Sequence, residues 1–187
     1  MKHSAGEARA RRMSEPNNAA GRRTDGTQWY IGAPNGVVLC INGSDNGELW
    51  GEFYHSYSEE PVSFRGIGQM TLRMEKLYDW LRFPHPGTNN RSFGEIPPPT
   101  RETHERKRIM SDEKLLSRHG DIGTFIVRVQ HRQNSSWQGR ITWMEEDRTI
   151  QFRSVWEMIK LIESAVDQVS EPEEKESFSW FREDEET

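Results

Sequence analysis

Three arginines in the second half of the chain are spaced to act together on a charged partner. Arg128, Arg132 and Arg140 alternate with apolar residues in two predicted strands, so we expect them to share one sheet face with Gln130 and Gln138. Arginines on such a face bind phosphates. The alternative is a polar face that contacts the rest of the chain or keeps the sheet soluble, and the net charge of -5 favours this alternative.

An earlier segment offers aromatic residues in a similar position. The same alternation would place Trp50 and Tyr54 on the corresponding face, together with Asn42 and Glu52. Aromatic rings beside arginines stack on unpaired bases. Together these residues would form a surface for single-stranded nucleic acid.

Two further arginines stand directly before predicted helices. Arg65 and Arg153 could pair with an acid of the other half of the chain, such as Glu163 or Glu75. Alternatively, each could join the free amides of the helix start in an anion pocket. The residue pattern leaves both interpretations open.

Motifs of enzymes and metal sites are missing from the sequence. The six histidines show no HExxH or paired Cys/His spacing, and GxSxG, GxxxxGK and GxGxxG do not occur. The acids Glu59-Glu60 and Glu145–Asp147 fall at predicted turns, where solvated carboxylates are ordinary. We therefore expect no enzymatic activity, no cofactor and no metal.

An internal repeat defines the elements that must position these arginines. Residues 37–81 and 125–169 align without a gap at an offset of 88. The alignment pairs Gly51 with Gly139, Phe64-Arg65 with Phe152-Arg153, Met70 with Met158, Glu75 with Glu163 and Asp79 with Asp167. Such self-similarity predicts two copies of one structural unit.

Each copy changes from a period of two to a helical period, which predicts three strands followed by a helix. The apolar strand residues that should face the second helix are Phe125, Val127, Val129, Trp137, Ile141 and Trp143. Ser154 with Glu157 is a good helix start, whereas Gly66 at the matching position is a weaker cap. SDNG at 44–47 is typical of a hairpin turn.

These patterns predict an α+β fold of tandem duplicated β-β-β-α modules, residues 28–83 and 123–170. A three-stranded sheet with one helix has exposed edges and a small core, and pairing the copies resolves both problems. We therefore predict a pseudo-twofold antiparallel sheet assembly with six main strands and two principal helices, as one continuous sheet or two packed sheets.

The segments outside the copies differ in composition. Residues 1–27 are predicted to be a disordered basic arm, and residues 84–122 a Pro-rich linker with a short helix at 112–119. Residues 171–187 carry eight carboxylates and are predicted to be a disordered acidic tail. This tail also contains Phe178, Trp180 and Phe181, and it could fold back over the basic face.

Composition bounds the location of the protein. Only 33% of residues are hydrophobic, and no run approaches the roughly 18 apolar residues of a membrane span. The first thirty residues have no apolar segment typical of a secretory signal. Cys40 is the single cysteine and lies in an apolar run, which indicates a buried thiol. We expect a cytoplasmic protein that does not engage a membrane.

The run HRQNSSWQGRITW followed by FRSVWEM resembles small bacterial domains with an RQN-x-x-WQG strand pair and an FRS-x-x-E-[LM] helix start. The resemblance covers residues 124–169. It implies no activity and no catalytic or binding residue. In the first copy Leu49-Trp50 replaces Trp137-Gln138, so the motif belongs to the second copy alone.

Two hypotheses of function follow. The first is a non-enzymatic cytoplasmic interaction or regulatory (adaptor) protein, and its expected partner is another protein. The second is a nucleic-acid-binding regulator that uses the basic sheet face and is gated by the acidic tail. The residues predicted to bind a partner are Arg128, Arg132, Arg140, Arg153, Arg65, Trp50 and Tyr54. The oligomeric state is left open.

Overall fold

The computed structural model describes residue 31 and residues 34–88, 91–95 and 106–169. The predicted basic arm and acidic tail lie outside these residues. Within them the chain forms an α+β fold of six strands and three helices. In chain order these are β1 (Gly36–Asp45), β2 (Glu48–His55), β3 (Val62–Arg65), α1 (Ile67–Leu81), α2 (Asp112–Leu116), β4 (Gly123–Gln133), β5 (Ser136–Trp143), β6 (Arg148–Phe152) and α3 (Val155–Val169).

All six strands belong to one antiparallel sheet with the order β3-β2-β1-β4-β5-β6. We call β1 to α1 the first half and β4 to α3 the second half. The halves meet at the centre of the sheet, where β1 pairs with β4 from Gly36↔Arg128 to Ile41↔Gly123. The predicted antiparallel arrangement of six strands is confirmed, and it is the continuous sheet of the two alternatives.

Short turns connect each central strand to the next, β1 to β2 and β4 to β5. Asn46 and Gly47 have φ angles of 51° and 77°, and Asn134 and Ser135 have φ angles of 53° and 55°. Two consecutive positive φ angles are characteristic of the tight hairpin turns that match the twist of a sheet. The SDNG and NSS segments therefore set the register of both hairpins.

One face of the sheet carries α1 and α3 over the main hydrophobic core. Alternate strand residues point into this core, and the helices add side chains spaced three and four apart, such as Met70 and Met74 of α1. The residues predicted to face the second helix all lie there: Phe125, Val127, Val129, Trp137, Ile141 and Trp143. The prediction from strand alternation is therefore confirmed for these positions.

The other face is covered near its centre by the segment that joins the halves. Met110, Leu115 and Leu116 pack with Val38, Cys40, Tyr54 and Ile126 of the sheet in a second, smaller core. Helix α2 ends at Leu116, short of the predicted 119, where the amide of Ser117 donates to the Glu113 carbonyl at 3.0 Å and the amide of Arg118 donates to the Leu115 carbonyl at 3.1 Å. Part of the face expected to be open is thus sealed.

Two bulges interrupt the strands at positions 88 residues apart. The register shifts between Ile41 and Gly43 in β1 and between Val129 and His131 in β4. Beside each bulge a glycine of the neighbouring strand comes close to a backbone carbonyl. A Cβ on Gly51 would collide with the carbonyl oxygen of Cys40, and one on Gly139 with that of Arg128. The matched glycines are therefore required for close backbone approach.

Candidate interaction surfaces

Arg128 and Arg140 lie side by side on the sheet face opposite α1 and α3. They are direct cross-strand partners in the β4–β5 ladder. Arg140 is exposed and Arg128 is partly buried. Two of the three predicted basic residues are therefore brought together as expected.

Arg132 lies on the opposite face, which corrects the expected position. The bulge between Val129 and His131 adds one residue to β4, so the alternation reverses and the side chain of Arg132 turns toward α1. It is only 4% exposed. Its guanidinium donates to the carboxylates of Glu75 and Asp79, and to the carbonyl of Pro84 at 3.3 Å.

These contacts form a clamp that joins the first half to the second. We define the clamp as Glu75, Asp79, Arg132 and Trp137. The indole Nε1 of Trp137 donates to Glu75 at 2.5 Å, and its ring packs edge-on against Tyr78 at 5.3 Å. Burial lowers the pKa of Arg132, but hydrogen bonds to Asp79 and Glu75 outweigh burial and leave this pKa above its usual value.

The acids of the clamp were missed as partners of Arg132. Glu75 and Asp79 are four residues apart and therefore share one face of α1. Both are also among the residues that match between the two copies of the repeat. Those two signals together would have marked them as a pair of carboxylates directed at one site.

Tyr54 and Trp50 do not join the two arginines. The Tyr54 ring is buried beneath the guanidinium of Arg118 at 4.7 Å, and its hydroxyl donates to Glu52. Burial, with that hydrogen bond, raises the pKa of Tyr54 to about 12.

Trp50 in β2 is exposed, but it lies opposite the end of β1 that is far from Arg128. It pairs with Gly43, whereas Arg128 pairs with Gly36, roughly 20 Å away along the strand. The predicted combination of basic and aromatic residues is therefore not assembled on one surface.

Arg65 and Arg153 both pair with acids of their own half of the chain, and not with Glu163 or Glu75. Arg65 contacts Asp45 at 3.3 Å and Glu48 at 3.4 Å. Arg153 contacts Glu157 at 2.9 Å, and its backbone amide also donates to this carboxylate. Hydrogen bonds from Arg153 lower the pKa of Glu157. A carboxylate thus occupies the start of α3, where an anion pocket was the alternative.

A ladder of rings at the end of β2 was not foreseen from the sequence. His55 packs on Tyr57 at 6.0 Å, Tyr57 packs edge-on against Trp80 at 5.6 Å, and the guanidinium of Arg106 lies 4.3 Å above Trp80. Burial lowers the pKa of His55. The segment after α1 thus folds back onto the first half through an aromatic contact.

A groove of about 920 Å³ lies beside the clamp. We call it the α1 groove. It is lined by Thr71, Leu72, Glu75, Thr88, Arg91, Asn134, Ser135, Trp137 and Val155. Leu72 is 65% exposed on its rim, and Trp156, next to Val155 in α3, is 64% exposed. The groove therefore combines an apolar rim with polar turn residues and a buried Trp137 floor.

Comparison of the chain with protein-family models, with curated proteins and with solved structures gives no match. In the described part of the chain, no helix is long and apolar enough to cross a membrane. Among the same residues, no three His, Cys, Asp or Glu side chains are grouped in a way that could hold a metal ion.

Proposed function

We propose that this chain is a non-enzymatic, cytoplasmic interaction protein that acts as an adaptor for another protein. We also propose that its halves are tandem duplicated β-β-β-α modules related by a pseudo-twofold axis. The spacing of 88 residues between the two bulges, and between Gly51 and Gly139, supports the duplication. A duplicated scaffold of this kind offers two helices on one face for recognition.

The observation that carries the proposal is the α1 groove with Leu72 exposed on its rim. An apolar side chain left 65% exposed costs solvation free energy that a bound partner would recover. The clamp makes the floor of the groove rigid, because the indole of Trp137 donates a hydrogen bond to Glu75. A groove with a rigid floor favours binding, since less conformational freedom is lost when a partner docks.

The partner is best described as a polypeptide segment with an apolar anchor residue. Its anchor would contact Leu72, and its backbone would hydrogen-bond with Thr71, Asn134 and Ser135 at the polar side of the groove. This arrangement requires few charges. The interaction should therefore depend weakly on salt.

The alternative proposal, a nucleic-acid-binding regulator gated by the acidic tail, is supported by the adjacent Arg128 and Arg140 alone. Arg132 lies on the other face and Tyr54 is buried beneath Arg118, so fewer phosphate contacts and no stacking platform are available beside Arg128 and Arg140. We therefore favour the protein partner, and the two classes are separated by the experiment below.

The test begins with a photo-crosslinking amino acid at position 72 of the full chain in cells, followed by identification and purification of the captured molecule. Binding is then compared for Leu72→Asp and Ile109→Asp. Ile109 is a matched control, because it is also apolar and exposed but lies outside the groove. We expect Leu72→Asp to weaken binding at least about tenfold, which is about 1.4 kcal/mol, and Ile109→Asp to have no effect.

The proposal is wrong if both variants bind the purified partner equally well. It is also wrong if the captured molecule is RNA or DNA whose affinity falls steeply with salt and requires Arg140, since that pattern identifies phosphate contacts.

A further inference from the structure

A second, smaller cavity lies between α3 and the edge strand β6. We call it the β6 cavity. Its volume is about 60 Å³, room for about four water molecules. Six of the residues that line the cavity determine which side chain could fit there: Phe125, Trp143, Arg148, Ile150, Ala165 and Gln168. The cavity is large enough for one side chain and too small for a cofactor.

Beside the cavity, α3 carries smaller residues than α1 carries at the matching positions. At the positions 88 residues earlier, Leu77 stands for Ala165 and Trp80 stands for Gln168. Leu77 is buried in the main core, and Trp80 packs on Tyr57 under Arg106. The first half therefore carries larger side chains at these two positions than the second half does.

The chain that follows α3 contains aromatic residues and starts beside the cavity. Helix α3 ends at Val169, one residue after Gln168 of the cavity rim. Phe178 follows nine residues later, and nine extended residues span up to roughly 30 Å. The helical segment from Leu161 to Gln168, eight residues with seven steps of about 1.5 Å, covers only about 10 Å along the cavity. Residues 178–181 can therefore reach any part of the cavity.

Charge also complements this segment. The aromatic residues Phe178, Trp180 and Phe181 lie between two groups of carboxylates. Arg148 lies at the rim of the cavity on exposed β6. A segment with an aromatic anchor and flanking acids matches an apolar cavity with an arginine at its rim.

We propose that the aromatic segment 178–181 of the same chain docks in the β6 cavity, with one ring inserted between β6 and α3 and its acids beside Arg148. The docked ring would lie beside Gln168, the position that Trp80 holds in the first half. It rests on the proposed duplication, but not on the identity of the partner at the α1 groove.

The first experiment measures amide hydrogen exchange of β6 and of the C-terminal half of α3 in the full chain. Replacing Phe178, Trp180 and Phe181 together by serine should speed exchange there about tenfold or more, because an aromatic side chain is lost from the cavity. The matched control replaces Glu183, Asp184 and Glu185 by serine and keeps the aromatic residues. It should change exchange much less. Equal exchange in the aromatic variant and the natural chain would overturn the proposal.

The second experiment follows the segment itself through a single thiol. The new thiol of Trp180→Cys in the full chain should react slowly with a thiol reagent. The natural Cys40 should not react, because it is buried and burial raises its pKa to about 12. Adding Gln168→Trp copies the first half, fills the cavity and should restore fast labelling. Labelling of Trp180→Cys at the rate of a free peptide would contradict docking. Protection that increases with protein concentration would contradict docking within one chain.

Discussion

The clamp predicts that Arg132 is worth far more to stability than any other arginine of the proposed surfaces. In Arg132→Ala the guanidinium is lost, and Glu75 and Asp79 lose their shared cation. The side chain of Glu75 is 27% exposed and that of Asp79 is 60% exposed. Glu75 is therefore the acid that is left poorly solvated.

The expected magnitude follows from these exposures. The charge-assisted hydrogen bond to the partly buried Glu75 contributes about 2 kcal/mol, and the pair with the exposed Asp79 under about 1 kcal/mol. Burial of the hydrocarbon part of the Arg132 side chain adds less than about 1 kcal/mol. Because Glu75 keeps its bond from Trp137, the total is about 3 kcal/mol, the low end of the range for a broken buried ion pair.

Urea unfolding of the full chain measures this loss. At a typical slope of about 2 kcal/mol/M, a loss of about 3 kcal/mol lowers the midpoint by about 1.5 M. Arg153→Ala is the matched control, because its side chain is 89% exposed and its ion pair is local. That variant should keep the natural midpoint.

Double variants separate the clamp from simple packing. Once Arg132 is replaced, Glu75→Gln should cost much less than it does in the natural chain, because its partner is already gone. If Arg132→Ala and Arg153→Ala had the same midpoint, or if the losses from Arg132 and Glu75 were additive, the reasoning about the clamp would be refuted.

Two further predictions concern single residues. Burial lowers the pKa of His55 in the fold, whereas the unfolded chain titrates near 6.5, so stability should fall as the pH drops below about 6.5. His55→Gln should flatten this dependence relative to exposed His119→Gln, and parallel pH profiles would contradict it. Gly51→Ala should cost about 1–3 kcal/mol through collision with the Cys40 carbonyl. Gly68→Ala in α1, where a Cβ meets nothing within 4 Å, should stabilise by about 0.5 kcal/mol. Thermal midpoints measure both, and a loss for Gly68→Ala equal to that for Gly51→Ala would be inconsistent with the packing.

The elements of the fold could be predicted because they depend on local patterns. Alternation placed Val127 and Ile141 in the core, helical spacing placed Met158 and Ile162 there, and Ser154 caps α3 by accepting from the Glu157 amide at 3.1 Å. Each of these signals lies within a few neighbouring residues. Turn chemistry was equally local, and it located both hairpins.

The positions of the candidate site residues were harder to predict because they depend on distant contacts. One inserted residue in β4 moves Arg132 to the other face, and only its pairing with β5 reveals the bulge. Tyr54 is covered because Met110 and Leu115 pack on the same face of the sheet. No sequence periodicity around Met110 or Leu115 predicts which part of the sheet they contact. The strand pattern alone could not separate an exposed aromatic residue from a buried one.

The central pairing of β1 with β4 also constrains how the protein is made. A ribosome completes β1 long before β4, so the nascent chain exposes the strand edge of Val37–Ile41, five consecutive apolar residues that are buried in the finished protein. Such an uncovered edge promotes aggregation until its partner is synthesised. If the chain were cut between its halves, the edge of β1 would stay uncovered and the first half would remain prone to aggregation. These halves are therefore poor candidates for separate expression.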